Sequence, residues 1–133
     1  MADDNRTHEE RLAEGTRIRR EVLGAAYVDA NTGPKSRLQR DFLEFTIEHA
    51  WAGIWTRPGL DRKTRSMLNL AMLTALGRLH ELEVHMRGAI TNGVSETEVS
   101  EILQQVGVYA GVPVAAEGFR VADKVFREAG AGT

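Results

Sequence analysis

"RKTRSMLNLAMLTALGRLHELEVHMRGAITNG", residues 62–93, is the stretch whose reading decides the fold. Its first half is almost continuously apolar from Met67 to Leu76, which predicts a buried helix, capped by Asp61 and ended at Gly77. Its second half returns Leu82, Met86 and Ala89 at helical spacing and stops at Asn92 and Gly93, a left-handed terminator. The connection from Leu76 to Leu79 is short, so the two helices are expected to form an antiparallel hairpin. Arg78, Glu81 and His85 stand at i, i+3 and i+7, so they share a stripe bordered by Leu82, Met86 and Ala89. That stripe is expected to be the buried one, and charged groups that leave water need a partner or a purpose.

Working outward, residues 1–8 are polar and expected to be flexible. Leu12, Ile18, Val22 and Leu23 mark a helix from Glu9, with Gly24 as its stop. Residues 25–34 contain the turn signal NTGP and read as a loop. Leu38, Phe42, Phe45, Ile47 and Trp51 mark a helix from Ser36 that RPGL at 57–60 terminates. Beyond the hairpin, SETE at 95–98 is a capping box opening a helix to about Tyr109. Gly111 breaks it, and Pro113 suits the first turn of a last helix ending near Ala129. With no convincing strand, the chain reads as all-α: a single domain of about six helices over 9–129, with a flexible tail at 130–133.

Composition narrows the function. The chain has 133 residues, 42% hydrophobic and 27% charged, with a formal net charge of -2, and its acids and bases are intermixed. Neither a nucleic-acid surface nor a membrane surface is indicated. No apolar run approaches the ~20 residues of a membrane span, and MADDNRTHEE has no signal-peptide core, so a cytoplasmic location is expected. There is no cysteine, which removes disulfides, thiolate nucleophiles, iron–sulfur ligation and thiol redox cycling together. His80 and His85 are separated by about 140° around a helix and do not make a zinc-chelating pair, so no metal site is expected.

The polar residues carry two readings. Glu81 and His85, at i and i+4, place a carboxylate where it can orient an imidazole and raise its pKa, half of a general acid. Arg78, one turn earlier, offers a guanidinium fork to a substrate carboxylate at the positive end of the helix. The plainer alternative pairs Arg78 with Glu81 and leaves His85 a satisfied core histidine. Trp51 and Trp55, near Arg57, either wall a ligand cleft or pack as core or interface residues. Arg65, early in the buried helix, either meets an acid or awaits an anionic ligand. Tyr109 is structural unless its hydroxyl reaches a pocket, and Glu83 with Arg87 reads as a solvated i,i+4 pair.

Three spacings go further: W-x-R-P-G-L-x-x-x-T-R-S from Trp55, A-L-G-R-x-x-E-L-x-x-H-x-R-x-A from Ala75, and N-G-V-x-x-x-E from Asn92. Residues 49–117, together with the opening RLAEGTRIRREVLGAAYVD, resemble the carboxymuconolactone decarboxylase family of the AhpD-like superfamily. The superfamily's alkylhydroperoxidases carry a Cys-x-x-Cys-x-x-x-His motif and an upstream glutamate. Aligned on His85, those positions are Arg78, Glu81 and Ser66 here, so a thiol peroxidase is not expected.

The resemblance implies a cofactor-free decarboxylation of gamma-carboxymuconolactone to beta-ketoadipate enol-lactone, in aromatic catabolism. His85 and Glu81 are the implied proton-delivering pair, and Arg78, Arg65, Arg57, Trp51, Trp55 and Tyr109 the candidate substrate-binding residues. It also implies a homo-oligomer, a hexamer or else a trimer, with a small anionic lactone as the bound partner. The family commonly reads I-Y-C-G-V-P-A-A-N where this chain has VYAGVPVAAE, with Ala110, Val114 and Ala116 as the departures. A related lactone or beta-keto acid, or an oligomeric binding module without turnover, therefore stands beside the main reading.

Overall fold

The computed structural model describes residues 4–31 and 33–131, and among them every regular element is helical. Helix α1 spans His8–Leu23, α2 Ala25–Ala30 and α3 Arg37–Thr46, and a π-helical turn follows at Ile47–Trp51. Then come α4 (Arg62–Ala75), α5 (Leu79–Thr91), α6 (Glu96–Tyr109) and α7 (Val112–Ala131). Packing divides the chain into two compact units, Met1–Leu60 and Asp61–Thr133, with the boundary at the RPGL terminator. No helix among the described residues is long and apolar enough to cross a membrane.

In the first unit, α1 packs on the π-helical turn and on α2, and α3 packs on the same turn. Gly15 permits the closest approach, since a Cβ there would run into the Ile47 carbonyl oxygen. The start of α1 is more ordered than its polarity suggests. Thr7 caps it in a reciprocal box with Glu10, and the Arg6 guanidinium donates to Asp4, to Glu14 and to the Ala52 carbonyl at 3.0 Å. Of the expected flexible segments, residues 1–3 and 132–133 lie outside the described residues. The expected loop over 25–34 contains the short helix α2, whose Val28 is buried.

The second unit is built on the expected hairpin. Asp61 caps α4 by accepting from the Thr64 N–H at 2.7 Å. After Ala75, Gly77 turns left-handed at φ 71°, so its N–H reaches the Thr74 carbonyl and the Arg78 N–H reaches Leu73. This pair of bonds is a Schellman motif, and it reverses the chain within three residues. The motif repeats at Gly93, which lets the buried Val94 close the end of α5. Ser95 and Glu98 form the expected capping box of α6.

Leu70, Leu82, Met86, Ala89, Val99, Leu103 and Val125 form one core drawn from α4, α5, α6 and α7. Gly118 brings α7 close to that core: a Cβ there would meet the Thr74 methyl at 2.7 Å and Leu103 at 3.0 Å. At the rim, Glu83 accepts from Arg87 and Lys124, and Arg87 also donates to Glu128. The expected solvated pair is thus a staple between α5 and α7.

Candidate functional site

Residue chemistry and local structure concentrate at the start of α5. Arg78 occupies its N-cap, where it makes no side-chain capping bond, and the Leu82 N–H closes the first turn on the Arg78 carbonyl at 2.9 Å. The first N–H groups of α5 therefore lack an intrahelical acceptor, a partial positive charge beside a guanidinium. Glu81 lies in that first turn. His85 follows one turn later on the same side.

The stripe differs from the sequence expectation in one respect. Leu82, Met86 and Ala89 are buried as expected, but Arg78 and Glu81 are exposed and only His85 is half-buried. The polar stripe is the shoulder of the helix and not its buried face. Long charged side chains at that angle keep their heads in water. Burial pushes the His85 imidazole below the ordinary histidine range, while the Glu81 carboxylate pulls in the opposite direction. Glu81 acts in the direction expected, yet burial outweighs it, so the resting imidazole is neutral at pH 7.

On α4, Arg65 is half-buried with its Nε shielded from solvent, and neighbouring Ser66 is 2% exposed. The Asn92 side-chain amide donates to the Ser66 hydroxyl at 3.0 Å, tying the end of α5 to the start of α4. The sequence reading treats Asn92 only as a helix stop. Its spacing of seven from His85 is the signal that places it on the same side of the helix.

Tyr109 is exposed at the end of α6 and lines an apolar groove of about 540 Å³ formed with α4. That groove does not include Arg65, Arg78, Glu81 or His85 in its lining.

The remaining candidates belong to the first unit. The indoles of Trp51 and Trp55 stack with centroids 5.2 Å apart, and both are buried. The π-helical turn sets their spacing, because the Ala52 N–H bonds back to Ile47 and the Trp55 N–H to Ala50. Arg57 is exposed in the turn that follows. Glu48 is held by the Arg11 guanidinium at 2.5 Å and the His8 imidazole at 2.9 Å, and Arg11 beside it is the main reason its carboxyl lies below the usual range.

Among the described residues, no three His, Asp or Glu side chains gather as metal ligands.

Comparison with known proteins gives the family. Residues 40–124 match the carboxymuconolactone decarboxylase family. A 4-carboxymuconolactone decarboxylase of Acinetobacter baylyi is 38% identical over 122 residues, covering 92% of this chain and 91% of that protein. The nitrosuccinic acid decarboxylase npaB of Metarhizium robertsii is 37% identical over 127 residues, covering 96% of this chain and 89% of its own length. An uncharacterized 15.0 kDa protein of Paracoccus denitrificans is 32% identical over 81 residues, 59% of this chain and 60% of its own. With the matched region spanning Trp51 to Tyr109 and the α4–α5 hairpin at its centre, the chain belongs to the carboxymuconolactone decarboxylase family.

Proposed function

We propose that this protein decarboxylates gamma-carboxymuconolactone without a cofactor, giving beta-ketoadipate enol-lactone. The observation that carries this is the sequence of groups on α5: Arg78 at the uncapped N-terminus, Glu81 in the first turn and half-buried His85 one turn on.

The bond between the ring carbon and its carboxylate breaks and CO2 departs. Its electron pair flows through the conjugated double bond onto the lactone carbonyl oxygen. The dienolate then takes a proton at the carbon next to that carbonyl, so each turnover consumes one proton. Arg78 and the α5 N–H groups hold the remaining carboxylate and polarise the carbonyl, and Arg65 is a further donor. His85 delivers the proton. The imidazolium is the stronger proton donor, and the bound anionic substrate, added to Glu81, favours the charged form of His85. The Tyr109 hydroxyl is an additional candidate contact. The active form is a homo-oligomer, a hexamer or trimer, in the cytoplasm.

A second reading has a specific observation in its favour. The relative named for nitrosuccinic acid matches 96% of this chain, and Ala116 stands where the family commonly has asparagine. A small diacid whose carboxylate neighbours another electron sink is the corresponding substrate class, and the same α5 groups would serve it. Purified protein incubated with gamma-carboxymuconolactone and, separately, with nitrosuccinate distinguishes the two by CO2 release. Release from the lactone alone supports the first reading, and release from nitrosuccinate alone replaces it with the second. Release from neither contradicts both.

A further inference from the structure

Neither packing nor hydrogen bonding accounts for Asn69 in the middle of α4. Asparagine is a weaker helix former than Leu68 and Leu70 on either side of it. The side chain is half-buried, yet its amide has no hydrogen-bond partner among the described residues and keeps its polar atoms open to solvent. Ser66, one turn earlier, differs on both counts: it is buried, and it accepts from Asn92. An amide carried on a helix with its donors and acceptor uncommitted is chemistry that a bound polar group can use.

The hairpin sets where that amide stands. Around α4, Asn69 lies between Arg65, four residues back, and Ser66, three residues back. Along the hairpin, the bond from Asn92 to Ser66 at 3.0 Å fixes the register of the two antiparallel helices. From that bond toward the Gly77 turn, Asn69 is about 4.5 Å along α4 and His85 about 10.5 Å along α5. Asn69 therefore stands about 6 Å from the level of His85, on the Asn92 side of it. Asn92 and His85 are seven residues apart on one side of α5, and Asn92 shows that this side faces α4.

In the proposed reaction one carboxylate leaves as CO2, and its charge passes to the lactone carbonyl oxygen. A cation beside that carboxylate stabilises the charge the reaction must remove, so it binds the ground state more tightly than the transition state. A neutral amide orients the group with a smaller penalty of that kind. The carbon that loses CO2 and the carbon that takes the proton stand across the lactone ring from one another, so the reaction calls for a neutral donor offset from the proton donor. We propose that Asn69 is a substrate-binding residue whose amide N–H donates to the departing carboxylate, while His85 serves the carbon across the ring. The inference rests on the decarboxylase reading and adds to it the contact at the departing group.

The test is steady-state CO2 release from gamma-carboxymuconolactone by full-length wild type, Asn69→Ala and Asn69→Lys, with circular dichroism as the check on folding. Alanine is the better helix former, and the amide holds nothing in the resting protein, so Asn69→Ala is expected to match or exceed the wild-type thermal midpoint. Its kcat/KM is expected to fall by about 10–100-fold, with the pH dependence set by His85 unchanged. Asn69→Lys is expected to lower KM and kcat together relative to wild type, because the ammonium holds the charge that has to leave. A purely structural role produces no such split. An Asn69→Ala enzyme within about twofold of wild type overturns the inference and leaves the decarboxylase reading intact. An Asn69→Lys enzyme with wild-type kcat overturns the assignment to the departing carboxylate. A wild type that releases no CO2 from the lactone overturns the decarboxylase reading and the inference with it.

Discussion

Glu81 and His85 stand one turn apart on α5, and the carboxylate opposes what burial does to the imidazole. Burial prevails, leaving His85 below its ordinary proton affinity. Removing the carboxylate charge with Glu81→Gln therefore moves the imidazole pKa further down. NMR titration of the His85 ring proton in the two proteins reads that shift directly, and an upward shift would contradict the opposition.

The same imbalance makes stability depend on pH. Folded His85 releases its proton below the unfolded value of about 6.5, so in the window between the two the unfolded chain binds more protons. This contribution is full above about pH 6.5 and is lost as pH falls through that window, with a slope of at most about 1.4 kcal/mol per pH unit. Urea unfolding from pH 8 down to pH 5 is expected to show the loss, and His85→Asn to flatten it.

The hydrogen bond from Asn92 to the buried Ser66 hydroxyl closes the open end of the hairpin. Ser66→Ala removes the acceptor and is expected to cost about 1–3 kcal/mol. Ser66→Thr keeps a hydroxyl and should recover part of it. Denaturant midpoints of the three proteins check the ordering.

Gly118 tests the packing of α7. An added methyl would meet Thr74 at 2.7 Å and Leu103 at 3.0 Å, both inside the core. Gly118→Ala is expected to destabilise by about 1–3 kcal/mol despite the better helix propensity of alanine. A thermal midpoint equal to wild type would show that α7 is held less closely.

Much of this architecture was legible because its signals are local. Asp61, Gly77, Gly93 and the Ser95–Glu98 box are each one-turn devices, and they bound the hairpin where the structure has it. Ser36 caps α3 where the sequence places a helix start, whereas the box of Thr7 and Glu10 falls where the polarity of residues 1–8 reads as flexible. The π-helical turn at Ile47–Trp51 has no comparable signal, because its extra residue is fixed by packing against α1 and α3. For the candidate site, spacing placed Arg78, Glu81 and His85 on one side of α5 correctly. It could not separate the buried face from its shoulder, since about 70° of rotation distinguishes them and neighbouring helices decide it. The balance between burial and Glu81 at His85 was likewise out of reach, because desolvation depends on what surrounds the ring.

The central claim is that the His85 imidazole supplies the proton that ends the reaction. Its most direct measurement is the steady-state rate of CO2 release from gamma-carboxymuconolactone by wild type and by His85→Gln, followed across pH. The account predicts a kcat lower by about 10²–10⁴-fold in the variant, with folding retained. It also predicts that wild-type kcat/KM falls as pH rises through the depressed His85 pKa, and that this limb vanishes in the variant. A His85→Gln enzyme that turns over at the wild-type rate with the same pH profile would contradict it.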